Sequence, residues 1–180
     1  VYDWALKQNP IPLYLSQYAL RANAFYQASL ARNVDGGWVI NAAKYIHTLR
    51  VSPSLGWPDL ARSKGVAGYR KGVDGLYVHL ASERPEIYFS STPDNRLHLV
   101  ESNGVVDNWT PSLKQARISG AIISLRAQVP LVFSVASAES CQLKVVSKTA
   151  SKTYHSQGKK SRQYFTLDVS EIENASLACP

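Results

Sequence analysis

A chain of 180 residues that is 45% hydrophobic and 18% charged has the composition of a globular protein, not a disordered one. At about this length a folded chain hides roughly two-thirds of the surface its unfolded form exposes, so a substantial core is available. The formal net charge is +7, yet no recognition-helix, zinc-finger or RNP-like pattern accompanies it, so nucleic acid is not the expected partner. No apolar run approaches the roughly 18 residues needed to span a bilayer as a helix. The chain opens on Val1 and contains no methionine, which fits a segment cut from a longer polypeptide.

Val1 to Lys7 reads as the end of a helix, stopped by Asn9-Pro10. Ile11-Pro12-Leu13-Tyr14-Leu15 is a short apolar run of buried-strand type. Ser16 then serves as an N-cap, and Tyr18, Ala19, Ala22, Phe25, Tyr26, Ser29 and Leu30 recur at helical spacing. Helix, strand and helix in that order form a piece of an α/β domain, which cannot bury its faces alone. The texture changes near Asn33, and residues 1–33 are expected to be the remnant of such a domain, with 34–180 as a second unit.

From Gly36 onward the chain reads as all-β. Strand patterns fall at Trp38 to Ile40, Lys44 to Val51, Gly65 to Tyr69, Leu76 to Ala81, Glu86 to Phe89 and Arg96 to Glu101. They continue at Ala116 to Ile118, Ile122 to Ala127, Leu131 to Ala136, Cys141 to Ser147, Gln163 to Val169 and Ala175 to Cys179. Turn chemistry separates them, as in Lys71-Gly72-Val73-Asp74-Gly75 and Ser102-Asn103-Gly104. Short strands at this spacing, with no fixed repeat, predict an antiparallel β-sandwich of the jelly-roll or immunoglobulin-like kind, with a closed barrel as the alternative.

Cys141 and Cys179 lie in separate strand patterns, too few and too far apart for a zinc site. They are either two buried thiols or a disulfide closing a loop of about 39 residues, worth roughly 2 to 4 kcal/mol. Asn108-Trp109-Thr110 and Asn174-Ala175-Ser176 match the glycosylation pattern. Lys144, Lys148, Lys152, Lys159, Lys160 and Arg162 follow one another with no acid among them. Such a stretch either protects an exposed sheet edge or meets an acidic partner, with Lys152, Lys159, Lys160 and Arg162 as the candidate contacts.

No nucleophile elbow, phosphate loop or dinucleotide fingerprint is present. Asp59, Asp74, Asp94 and Asp107 sit beside turn residues, where aspartate bonds to the local backbone. His47, His79 and His98 fall inside strand patterns and His155 in the basic turn. Convergence of the first three in space would make a small cupin-like metal enzyme, the rival to a noncatalytic module. The aromatic residues suggest sugar contact instead. Trp57 and Trp109 lie in loop-like contexts, where they either plug the ends of the sandwich or stack on sugar rings, and Tyr77, His79 and Tyr88 extend that candidate surface. No cofactor is expected.

Val1-Tyr2-Asp3-Trp4-Ala5-Leu6, residues 9–16 (NPIPLYLS), residues 30–38 (LARNVDGGW), residues 56–63 (GWPDLARS) and residues 65–69 (GVAGY) together resemble the C-terminal part of the Pel exopolysaccharide-modifying proteins. The resemblance implies a β-rich region that follows glycoside hydrolase and polysaccharide deacetylase domains in the bacterial periplasm. Residues 1–33 would then be the last strand and helices of a distorted-barrel deacetylase, and the remainder an appended jelly-roll module. The deacetylase metal ligands would precede Val1, so none is carried over. The implied role, periplasmic or secreted, is to hold an acetylated amino-sugar polymer in biofilm production or to dock on an export-complex protein. The basic stretch would repel a polymer made cationic by deacetylation and suits an acidic protein better.

Overall fold

A computed structural model describes residues 15–41, 44–114, 117–146, 151–159 and 161–180. The expected helix end and buried strand within 1–14 lie outside the described residues. The first described element is α1 (Leu15–Gln27). It stops three residues short of the predicted end because Ser29–Arg32 is a strand, β1. β1 pairs antiparallel with β2 (Trp38–Asn41), Leu30 opposite Ile40, so this hairpin straddles the boundary placed after Asn33. The turn is fixed by Asn33, whose side-chain oxygen accepts from the Gly37 amide at 2.7 Å, and by Gly36 at φ 82°.

The rest of the chain is mainly β. Two sheets face one another. The larger has seven strands, in the spatial order β15 (Gln157–Lys159), β16 (Arg162–Thr166), β12 (Val132–Ala136), β9 (His98–Ser102), β5 (Val66–Lys71), β6 (Leu76–Leu80) and β3 (Thr48–Val51). The smaller has five, in the order β10 (Val105–Lys114), β11 (Arg117–Arg126), β17 (Glu171–Ala178), β13 (Gln142–Val146) and β14 (Ser151–His155). Among the described residues every strand pairing is antiparallel except β5 with β9, which meet at the single parallel pair Gly68 and Leu99. The first core fills the space between the sheets. Leu99, Val135, Phe133 and Phe165 come from the large sheet, and Trp109, Ile123, Leu125, Leu143, Ile172 and Leu177 from the small one. Phe133 and Phe165 stack at 4.9 Å between ring centroids, and full burial of such a ring contributes roughly 1.5 to 3 kcal/mol.

The large sheet extends beyond the small one, and its overhang has a core of its own. Leu76, Val78 and Leu80 alternate onto one face of β6 and pack with Tyr69, Val51, Leu60, Ile40 and Ile87. A three-stranded sheet, β1-β2-β7 (Glu86–Ile87), contributes Ile40 and Ile87 to this second core. A two-stranded ribbon, β4 (Trp57–Pro58) with β8 (Phe89–Ser90), adds Trp57 and Phe89 at its margin. The predicted strand at 86–89 is therefore two strands in two sheets.

Other expectations shift in detail. The strand expected from Lys44 begins only at Thr48. The runs at 116–118 and 122–127 join into the ten-residue β11. Trp109 is not in a loop but in the middle of β10, 7% exposed, because β10 pairs along its whole length with β11. His155 is likewise in strand β14 and not in a turn. Cys141 and Cys179 form a disulfide, since pairing of Gln142 with Ala178 sets the two cysteines opposite one another.

Candidate functional site

Alternation along β6 turns Tyr77 and His79 away from the second core and into a cleft. Two adjoining cavities of about 440 and 260 Å³ make up this cleft and share Arg21, His47, Gly104 and Val105. α1 supplies Gln17 and Arg21, the segment before β3 supplies Tyr45 and His47, and the end of β11 supplies Arg126. β5 and β9 supply Arg70 and Glu101 beside Tyr77 and His79. The Asn103-Gly104 turn forms part of the lining and is held rigidly. The Asn103 amide donates to the Pro130 carbonyl and its oxygen accepts from the Val132 amide, both at 2.9 Å. A side chain at Gly104 would lie 2.7 Å from the Arg126 carbonyl, so only glycine allows this approach.

The imidazoles do not converge. His79 donates from Nε2 to the Val100 carbonyl at 3.0 Å, which leaves Nδ1 to accept from the Thr48 hydroxyl at 3.4 Å. His98 donates from Nδ1 to the Arg96 carbonyl at 2.7 Å and stacks on Tyr69 at 4.4 Å. Burial lowers the pKa of both rings. His47 lines both cavities of the cleft. Burial first, then the positive charges of Arg21 and Arg126, push its pKa down to about 4, with Asp107 acting the other way. Among the described residues no three histidine, cysteine or acidic side chains are grouped as metal ligands. The cupin-like arrangement of His47, His79 and His98 is not formed by these positions.

The remaining expected site residues are dispersed. Tyr77 is half-buried in the cleft, its hydroxyl donating to Asp74 at 2.7 Å and the Arg70 guanidinium 5.3 Å from its ring centre. Trp57 is half-buried, 5.7 Å from the Tyr69 ring, with the Lys71 ammonium over it at 5.8 Å. Trp109 belongs to the first core. Tyr88 is buried, donates to Glu86 and is covered by Arg62 at 4.2 Å, so its face is already occupied. Only Tyr77 and His79 of the five share one cleft.

The basic stretch is partly neutralised. Lys152 pairs with Asp168, whose carboxyl this contact and the Tyr154 hydroxyl hold down at about 2. Arg162 pairs with Glu101 and donates to the Ser134 hydroxyl. The Lys159 side chain and Lys160 lie outside the described residues. The cleft residues Arg21, Tyr45, Arg70, Glu101 and Arg126 were not expected from sequence, because they come from five separate stretches with no common motif. The one local signal is the Asn-Gly turn at 103–104.

Compared with known proteins, the chain matches no family model, no curated protein and no solved structure.

Proposed function

We propose that this chain is a noncatalytic binding module of a larger carbohydrate-active protein, and that the cleft beside Tyr77 takes a glycan. The observation that carries this reading is the cleft wall itself. The half-buried ring of Tyr77, the guanidiniums of Arg21, Arg70 and Arg126, the carboxylates of Glu101 and Glu171 and the imidazoles of His47 and His79 line one concave surface. Sugar rings are held in this way, by C–H faces on an aromatic ring and by fixed donors and acceptors around it. The engagement of His79 and His98 with backbone carbonyls supports binding over acid–base chemistry. The buried Cys141–Cys179 bond supports a periplasmic or secreted location. The jelly-roll affinity of the sandwich, the deacetylase-type origin of its opening segment and a Pel-like exopolysaccharide context belong to the same proposal.

Docking on an export-complex protein through Lys152, Lys159, Lys160 and Arg162 is the weaker reading, since two of these cations already have acidic partners within the fold. The test is calorimetric titration of the chain with oligosaccharides of N-acetylgalactosamine. Tyr77→Ala is expected to weaken binding about three- to tenfold, the value of one aromatic contact, at a half-buried position that belongs to neither core. Binding that Tyr77→Ala leaves unchanged would remove this cleft as the glycan site.

A further inference from the structure

We propose that the space between Arg21 and Arg126 binds an oxyanion, and that the group it takes is the carboxylate of an acidic sugar. The second half of this inference rests on the reading of the cleft as a glycan site.

Both guanidiniums line the larger cavity. Arg126 uses its Nε to donate to Asp107 at 2.7 Å, and its terminal nitrogens make no other hydrogen bond among the described residues. Arg21 makes no hydrogen bond or ion pair among the described residues, although it is half-buried. The charge acting on it is Arg126, which opposes its own. An arginine cannot relieve such a position by losing its proton. Burial first, and then the charge of Arg126, therefore weigh on Arg21, and an entering anion would offset both. Glu171 also lines this cavity and acts on Arg126, yet it is not among the charges acting on Arg21.

The shape of the donors favours an oxyanion over a spherical ion, because a guanidinium presents parallel N–H bonds that match the oxygens of a carboxylate or phosphate. His47 lines the same cavity, is neutral at pH 7 and offers a polar contact without a further charge. Tyr77 stands in the adjoining cavity, so a ligand spanning both would place its ring beyond its anionic group. A uronate has that build.

The experiment uses the full chain at constant ionic strength, with D-galacturonate, D-galactose and inorganic phosphate as probes. Arg21→Gln removes the charge and keeps a good helix former. Arg62→Gln is the control, since Arg62 lies over Tyr88 and outside the cleft. Galacturonate is expected to saturate the wild-type chain and to bind at least about tenfold tighter than galactose, as one charge-assisted contact provides. Arg21→Gln should abolish that preference, and Arg62→Gln should not. Without ligand, Arg21→Gln should melt no lower than wild type, because it relieves a repulsion. A lower melting temperature would mean that the charge is already compensated within the fold, and would overturn the proposal. So would galactose binding as tightly as galacturonate, or no saturation by either oxyanion. Phosphate binding that depends on Arg21, with no binding of either sugar, would keep the oxyanion site and remove the glycan reading. Equal binding of both sugars, indifferent to Arg21→Gln, would keep the glycan reading and remove the oxyanion site.

Discussion

Reducing the Cys141–Cys179 bond should destabilise the fold by about 4 kcal/mol. The bond joins positions 38 apart in sequence, and a closed loop of about 39 residues removes roughly 13 cal/mol/K from the unfolded chain, which is about 4 kcal/mol at 25 °C. Its two ends lie in the first core, with Cys141 completely buried and Cys179 6% exposed. The thiols released on reduction therefore stay packed in the native state, and the loss falls on the unfolded ensemble. The assay is urea unfolding of oxidised and reduced protein, followed by tryptophan fluorescence, for which buried Trp109 is a reporter in the same core. A loss of this size also lowers the melting temperature by roughly 8 to 16 °C for a chain of this length. Cys141→Ala combined with Cys179→Ala should fall at least as far, since it adds lost packing to lost cross-linking. A reduced protein within about 1 kcal/mol of the oxidised one would refute the loop-entropy reasoning.

Gly68→Ala tests the parallel junction of the large sheet. A Cβ there would lie 2.1 Å from the Leu99 carbonyl oxygen and 2.6 Å from its amide nitrogen, and neither backbone atom can move without parting β5 from β9. A cost of about 3 kcal/mol or more is expected in urea titration, at or above the usual range for overpacking, and a change under about 1 kcal/mol would show that the strands can separate freely. His47 provides a pH test. Its native pKa of about 4 lies below the ordinary 6.5, so the unfolded chain takes up the proton first. Its contribution is neutral above that ordinary value, and stability declines as the pH falls from 6.5 through 4. Proton NMR should place the imidazole midpoint near 4, and a midpoint above 6 would contradict first its burial and then the placement of Arg21 and Arg126 beside it.

Where burial alternates cleanly, the strands are legible in the sequence. Leu76, Val78 and Leu80 point to one face and Tyr77 and His79 to the other, as period two requires. β10 is hidden because a register shift between Val106 and Asn108 leaves its two buried residues, Val106 and Trp109, three apart instead of an even number. Pro111 and polar outward residues complete the disguise. β1 has no buried residue at all, so its only instruction is the pairing with β2, and the helical spacing of Ser29 and Leu30 runs on past the true end of α1. The disulfide depends on strand neighbours that no local pattern specifies. For the cleft, Tyr77 and His79 are readable as a pair on one strand, while Arg21, Arg126 and Glu101 meet only through the sheet order.

The two cores divide the chain almost by position. Among the described residues, the buried members of one lie between 40 and 87 with Ala28 and Phe89 packed at its margin, and those of the other lie from 97 onward apart from Ala67, with Ala81 packed against it. They are joined where β5 and β6 meet the segment at 94–101, by the parallel pair Gly68 and Leu99, the Tyr69 ring on His98 and its hydroxyl on the Asp94 carbonyl, the His79 bond to Val100 and the Arg70–Glu101 ion pair. A polypeptide emerging N-terminus first can therefore assemble its leading core before the trailing strands exist. Until those strands arrive, β5 remains a bare border, and the walls of the cleft stand apart.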